Sequence, residues 1–136
     1  HYPEFELHIV SNTHKDIRGK YYSSCSAEAM RELMCSVDLA ISAGGQTLYE
    51  LLSCGTPVIA TAVAENQERD LEILAENNAI VSIGDFNANN FCSKLYSAVL
   101  SVKSSRVRQR MSDKSQSLID CGSTLKLARG MLAIVN

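Results

Sequence analysis

The chain lacks any Cys-x-x-Cys pair, although its 136 residues include five cysteines. The cysteines are odd in number and widely spaced, which argues against a disulfide framework and a zinc site and favours a reducing compartment. Three of them, Cys35, Cys54 and Cys92, fall in helical patterns, where a free thiol is usually a small core residue. No apolar run approaches bilayer-spanning length, so we expect a cytoplasmic protein with no transmembrane segment.

The sequence also has no large excess of positive or negative charge, and it lacks the common catalytic signatures. The net charge of −2 provides no electrostatic reason to bind nucleic acid or an anionic membrane. The sequence has no Walker loop, no complete G-x-G-x-x-G, no D-x-D and no H-E-x-x-H, so neither a metal nor a cofactor is implied. We expect a solvated helix face where the basic residues gather, at Lys103, Arg106, Arg108, Arg110 and Lys114.

What the sequence does contain is an alternation of short apolar runs and helical patterns. The strand candidates are FELHIV (5–10), a weaker run around Tyr21 and Tyr22, DLAIS (38–42), PVIATAV (57–63) and AIVSIG (79–84). Helices are predicted after a Ser26 cap, from Gln46 to Cys54 with Gly55 as its end, from Gln67 to Asn77, and at 91–102, 107–119 and 125–135. This alternation predicts the α/β class, with a Rossmann-like parallel sheet covered by helices on both faces.

Three loops follow strands at the edge where open α/β sheets bind ligands. They are Ser11–Lys15, Ser42–Thr47 and Ala62–Gln67. In the middle loop, Gly44 and Gly45 let the backbone approach a ligand, and the helix behind them points free N–H groups outward. Ser42 and Thr47 add hydroxyls, which together make a candidate diphosphate cradle. A Gly-Gly turn before a helix is also common without any ligand.

Polar side chains near these loops extend the candidate site. Glu50 lies one turn into the helix, and because helical side chains lean toward the N-terminus, its carboxylate could accept from the hydroxyls of a ribose. A solvated surface acid is the equally open alternative. Asn66 and Gln67 occupy the next loop, where their amides suit sugar hydroxyls or phosphate oxygens. Asn66 could also cap the following helix.

The stretch DLAISAGGQTLYELLSCGTPVIATAVAENQ (38–67) resembles the donor-binding signature in the C-terminal half of GT-B UDP-sugar enzymes. It is similar to the family-28 glycosyltransferases, and more closely to the UDP-sugar hydrolases of pseudaminic acid biosynthesis and the spore-coat polysaccharide proteins. The closer likeness rests on AMRELMCSVDLAISAGG (29–45), on the AENQ loop (64–67) and on LIDCGSTLKLARGML (118–132).

The residues and the resemblance together imply a nucleotide-binding set. Its members are Ser42, Ala43, Gly44, Gly45, Thr47, Glu50 and Gln67. By resemblance, Glu50 binds the uridine ribose and the glycine loop binds the diphosphate. Asn66 and Gln67 would face the sugar or the phosphates, with Asn66 as the candidate for a catalytic role. Relatives of this kind work without a metal, so the helix dipole and backbone donors would stabilise the departing UDP. The general base is expected in a different, N-terminal domain.

The resemblance also predicts that residues 1–136 form a single UDP-sugar-binding domain of a two-domain protein, whose N-terminal domain is the expected partner. The family's C-terminal domain begins with a strand, a Gly-Gly loop and a helix before the strand that matches FELHIV (5–10). We expect this first βα unit to be missing, and in the usual order 3-2-1-4-5-6 its strand would be central. A chain that opens with His1 instead of Met fits a fragment, and we expect it to be inactive alone.

Three functions follow from these patterns. The first is a UDP-sugar hydrolase, in which water attacks the anomeric carbon and releases UDP and an amino-sugar precursor of a nonulosonic acid. The second is a GT-B glycosyltransferase that uses the same donor with a lipid or sugar acceptor. The third is a non-enzymatic α/β regulatory module, which is less favoured because no phosphorylatable Asp ends the strands near Ser42 and Ala62. A Glu50 side chain directed away from the glycine loop would favour this third function.

Overall fold

The computed structural model describes residues 5–13 and 17–119, in which strands and helices alternate along the chain. The strands are β1 (His8–Val10), β2 (Lys20–Tyr22), β3 (Ala40–Ala43), β4 (Val58–Ala62) and β5 (Ile80–Asp85). The α-helices are α1 (Ala27–Ser36), α2 (Gln46–Ser53), α3 (Glu68–Glu76), α4 (Phe91–Ser101) and α5 (Ser105–Leu118), with a 3-10 turn at Glu65–Gln67 before α3. Every strand pair in these residues is parallel. The predicted α/β, Rossmann-like class is confirmed.

The chain divides into two compact units, His1–Leu33 and Met34–Asn136. In the first unit, β1 and β2 form a two-stranded parallel sheet with His8 opposite Lys20. The His8 ring stacks on Tyr22, and its Nδ1 lies 2.8 Å from the Tyr22 hydroxyl oxygen. His8 therefore has a structural partner within its own sheet. The start of α1 is also as predicted, because the Ala29 N–H donates to Ser26 Oγ at 3.2 Å.

In the second unit, the sheet has the order β3-β4-β5, and every residue of the central β4 is buried. Alternate β4 residues point to opposite faces. Ile59 faces a core cluster completed by Ile83, Ala98, Val102 and Met111, so α4 and α5 cover that face. Helices α2 and α3 pack against all three strands and cover the other face, on which alternation places Val58, Ala60 and Ala62.

The described strands form two separate parallel sheets, with the neighbours β1-β2 in one and β3-β4-β5 in the other. Strand bounds differ from the apolar runs by one to three residues, and β5 extends to Asp85 because of an irregularity in its pairing with β4. The helix predicted at 125–135 and the end of the Ser11–Lys15 loop lie outside the described residues.

The prediction that the helical cysteines are core residues is wrong for two of them. Cys35 and Cys92 are exposed and Cys54 is half-buried. The reason is helical spacing, since the buried side chain of α1 is Met34 and that of α4 is Ala98. At 100° per residue, Cys35 and Cys92 lie on a different side of their helices from these buried residues.

The basic residues of α5 and the segment before it are solvated as predicted, except for Arg108. Lys103, Arg106, Arg110 and Lys114 are exposed. Arg108 is half-buried, and its Nη1 donates to the carbonyls of Val102 at 3.1 Å and Lys103 at 2.7 Å. Its guanidinium therefore satisfies two carbonyl groups at the end of α4.

Gly55 ends α2 in the left-handed conformation, with φ at +74°. A Cβ at this position would stand 2.6 Å from Gln116 Nε2 and 2.9 Å from Ser112 Oγ. We expect Gly55→Ala to lower the free energy of unfolding by about 1–2 kcal/mol, because an L-residue is strained at positive φ and α5 side chains must shift. Urea unfolding measures this change, and an unaltered midpoint would show that the turn relaxes without cost.

Candidate functional site

The candidate site lies where β3 and β4 end and α2 and α3 begin. Gly44 directly follows β3, and its N–H donates to the Thr61 carbonyl at 3.0 Å, which extends the sheet ladder by one residue. A Cβ on Gly44 would stand 3.1 Å from Leu71 Cγ and 3.2 Å from Gln67 Cβ. A Cβ on Gly44 would therefore require Leu71 and Gln67 to move by a few tenths of an ångström, and the Gly44 N–H is already committed to the sheet.

Gly45 has a different role from its neighbour. It is the N-cap of α2, with φ −96° and ψ −161°, and no side chain caps this helix. A Cβ on Gly45 would have only Gln67 Nε2 within 4 Å, at 3.9 Å. In the described part of the chain, the N–H groups of Gly45, Gln46 and Thr47 have no acceptor. Free N–H groups at the positive end of a helix dipole form a binding site for an anion.

The Gln67 side chain connects this loop to the end of β4. Its Oε1 accepts from the Val63 N–H at 3.0 Å. Because a backbone N–H needs an acceptor, this bond orients the amide and leaves Nε2 as a donor. Nε2 is the atom that lies nearest to the Cβ position of Gly45. The structure therefore brings Gln67 and the Gly45 N-cap together, as the sequence predicts for a shared site.

The two hydroxyls predicted in the loop behave differently. Ser42 Oγ donates to the carbonyl of Ala43 at 3.0 Å, and both residues are half-buried. The Ser42 hydroxyl is thus engaged with its own backbone. Thr47 is exposed in the first turn of α2, and its hydroxyl has no hydrogen-bond partner within the described ranges. Thr47 is the hydroxyl that remains accessible to a ligand.

The Glu50 carboxylate leans toward the start of α2. Its Oε1 lies 3.5 Å from Gln46 Nε2, at the outer limit of a hydrogen bond. This is the direction expected for a helical side chain, and it places an exposed acid beside the Gln46 side chain in the first turn of α2. An acid in this position can accept hydrogen bonds from a ligand that the N–H groups hold.

Tyr49 links the two helices that carry the site. Its hydroxyl donates to Asp70 Oδ2 at 3.1 Å, from α2 to α3. Burial raises the pKa of the Tyr49 hydroxyl, and the hydrogen bond to Asp70 raises it further. The phenol therefore remains a neutral donor at physiological pH. Sequence reasoning did not single out Tyr49, because a lone tyrosine on a helix belongs to no motif.

Asn66 does not cap α3, so that alternative is wrong. The N-cap of the 3-10 turn is Ala64 and the N-cap of α3 is Gln67, and neither makes a side-chain capping bond. Because the 3-10 turn spans Glu65–Gln67, α3 begins only at Glu68 and Asn66 lies in the middle of the turn. Asn66 is exposed, and its amide makes no hydrogen bond to any part of the chain that the structure describes. Its donors and acceptor are therefore available to a ligand.

Two other features are absent from residues 5–13 and 17–119. No group of three His, Cys, Asp or Glu side chains in these ranges could hold a metal ion. None of the described helices combines the length and the apolar content that a bilayer span requires.

Comparison with known proteins relates the chain to a protein of nucleotide-sugar metabolism. It is similar to the pseudaminic acid cytidylyltransferase and UDP-2,4-diacetamido-2,4,6-trideoxy-β-L-altropyranose hydrolase of Helicobacter pylori, with 41% identity over 70 residues. The relationship is distant. The alignment covers 45% of this chain and only 12% of the length of that relative. No family model matches the chain, and no solved structure matches it significantly.

Proposed function

We propose that this chain is the UDP-sugar-binding domain, of the GT-B type, of a nucleotide-sugar hydrolase. The observation that carries the proposal is the start of α2, where three free N–H groups lie beside the oriented Gln67 amide. Such a helix terminus favours a diphosphate because it offers several donors and a positive dipole end. The relationship to a protein named as a UDP-sugar hydrolase supports the choice of ligand.

In this proposal the ligand lies along the carboxyl edge of the sheet. The diphosphate accepts from the N–H groups of Gly45, Gln46 and Thr47, and the Thr47 hydroxyl adds a further donor. Glu50 accepts from the ribose hydroxyls at one end. Gln67 Nε2 and the Asn66 amide face the sugar or the phosphates at the other end. Ala43 and Gly44 shape the floor of the loop, since the Gly44 N–H bonds to Thr61.

The same geometry suits the departure of UDP. When water attacks the anomeric carbon, the bond to the β-phosphate oxygen breaks and negative charge accumulates on the leaving diphosphate. Oriented N–H groups stabilise this charge without a metal ion. An amide such as that of Asn66 can orient a sugar or a water molecule but is not a useful base. We propose that the general base lies in another part of a longer protein, so that this chain alone binds UDP-sugars without hydrolysing them.

We also propose that residues 1–136 are one domain of that longer protein. The support for this proposal is the relative, of which this chain covers 12%. In the described residues β3 pairs with β4 alone, and Ile41 is 56% exposed. Ligand loops of doubly wound sheets follow interior strands, so we propose that a further parallel strand pairs with β3. The four described cysteines are free thiols, which supports a cytoplasmic location.

Glu50→Ala is expected to weaken UDP binding by about 5- to 150-fold, equivalent to about 1–3 kcal/mol, because the ribose hydroxyls lose a charged acceptor. The effect should be smaller for 2′-deoxy-UDP, which has lost one of the two hydroxyls already. Isothermal titration calorimetry of both proteins with both nucleotides measures this difference. The double comparison separates a direct ribose contact from a general effect of charge.

The matched control is Glu72→Ala, which removes an exposed acid from the adjacent helix α3 and should leave UDP binding unchanged. Circular dichroism establishes that each variant is folded. A folded wild-type chain that does not bind UDP would contradict the proposal. Tighter binding of CTP than of UDP would contradict it as well, and would relate the chain to the cytidylyltransferase activity in the name of its relative.

A further inference from the structure

Two exposed apolar residues lie opposite each other in the ladder where β4 and β5 end. Val63 is 52% exposed and Phe86 is 54% exposed. The Phe86 N–H donates to the Ala62 carbonyl at 2.9 Å, which continues the parallel ladder beyond both strands. In a parallel pair this bond sets Phe86 opposite Val63, on the same face of the sheet. We refer to Val63 and Phe86 as the apolar edge.

A bulge in β5 creates this pairing. Ala60 is opposite Ser82, but Ala62 is opposite Asp85, so one extra residue is inserted in β5. A regular ladder would set Asp85 opposite Val63. Gly84 accommodates the bulge with φ at +77°, and its carbonyl accepts from Thr61 Oγ1 at 2.8 Å. The bulge therefore replaces a carboxylate with a phenyl ring at this edge, as bulges beside binding sites commonly re-aim a side chain.

The Phe86 ring has a defined support. It packs edge-to-face on Phe91, with ring centroids 5.0 Å apart. Phe91 in turn packs against the core cluster beneath β4 and β5. An aromatic pair in this arrangement is favourable beyond its buried area. Phe86 is therefore held in place while about half of its surface remains open to a ligand.

The backbone of Val63 connects the apolar edge to Gln67 of the candidate nucleotide site. The Val63 N–H donates to Gln67 Oε1, and Gln67 Nε2 faces the N-cap Gly45. The order along the edge is Glu50, the glycine loop, Gln67, and then Val63 with Phe86. A nucleotide sugar whose ribose lies at Glu50 and whose diphosphate lies at Gly45 would extend its sugar past Gln67. Substituents of the sugar would then meet the apolar edge.

We propose that Val63 and Phe86 determine sugar specificity by binding apolar substituents, such as acetamido methyl or deoxy methyl groups, on the glycosyl part of a nucleotide sugar. This inference rests on the proposed function. Neither side chain carries a hydrogen-bonding group. Contact with the apolar edge therefore stabilises a bound methyl group, whereas a hydroxyl finds no hydrogen-bond partner there. The substrate in the name of the H. pylori relative carries acetamido and deoxy groups of this kind.

The test compares UDP, UDP-glucose and UDP-N-acetylglucosamine, since the last two differ only in an acetamido group that replaces a hydroxyl. Calorimetry of the wild-type chain should show tighter binding of UDP-N-acetylglucosamine than of UDP-glucose. In Phe86→Ala this preference should fall by about four- to tenfold, the value of roughly one buried methyl group or somewhat more. Binding of UDP itself should not change.

Two further variants make the result specific. Phe86→Leu keeps most of the apolar surface and should keep most of the preference for UDP-N-acetylglucosamine over UDP-glucose. This variant still tests the inference if Phe86→Ala does not fold. Leu100→Ala removes an equally exposed apolar side chain, 47% accessible, from the C-terminal part of α4 and should have no effect. Equal weakening of all three ligands by Phe86→Ala would overturn the specificity role.

The outcomes also separate this inference from the proposed function. Wild-type chain that binds UDP but does not distinguish the two sugars would overturn the apolar edge as a sugar site and leave the nucleotide site intact. Such a result would point to a protein surface as the partner of Val63 and Phe86. Wild-type chain that is folded and does not bind UDP would overturn both proposals.

Discussion

Gly45→Asp is expected to reduce UDP affinity by about 100-fold or more while the fold remains as stable as before. Gly45 is the uncapped N-cap of α2, and Asp is among the best N-cap residues, so the helix itself gains a few tenths of a kcal/mol. The new carboxylate would accept from the N–H groups that we assign to the diphosphate. It would also repel the ligand, and the loss of two charge-assisted bonds at about 1.5–3 kcal/mol each accounts for the size of the effect.

The measurement is a titration with UDP, combined with urea unfolding of the same samples. Ser104→Asp is the matched control, because Ser104 is the N-cap of α5 and likewise makes no side-chain capping bond. It adds the same charge to a helix start away from the site and should leave UDP binding unaltered. If Gly45→Asp binds UDP as tightly as the wild type, the anion site is not at the start of α2.

Gly44→Val is expected to lower the free energy of unfolding by about 3 kcal/mol, at the upper end of the range for overpacking a core. The Cβ of any residue here would stand 3.1 Å from Leu71 Cγ, and Leu71 is only 1% exposed. The branched side chain of Val would therefore push the loop away from α3. Urea unfolding with an unchanged m-value would measure the loss.

The double variant Gly44→Val/Leu71→Ala tests the physical cause. If crowding against Leu71 is the cause, removing that side chain should recover part of the stability, and the two changes should be strongly non-additive. A Gly44→Val protein that is as stable as the wild type but does not bind UDP would instead show that Gly44 faces the ligand. That result would restore the role that the sequence predicted for it.

The sequence by itself determined the architecture and the neighbourhood of the candidate site. Apolar runs that alternate with helical patterns predict a parallel sheet, because parallel strands are usually connected by helical crossovers, and these helices cover both faces of the sheet. Ser26 and Gly55 mark helix ends through local chemistry, a hydroxyl acceptor and tolerance of positive φ, and both are observed. The positions of Gly45 and Gln67 after successive parallel strands predict that they lie close together, as they do.

The tertiary structure alone decided what each residue of the candidate site can contact. The two glycines are equivalent in the sequence, but the ladder from β4 occupies the N–H of Gly44 and leaves that of Gly45 free. A 3-10 turn removes Asn66 from the capping position, and a bulge at Gly84 sets Phe86 beside Val63. These outcomes depend on strand register and on contacts between distant segments, whereas sequence periodicity reports only which face of its own helix or strand a residue occupies.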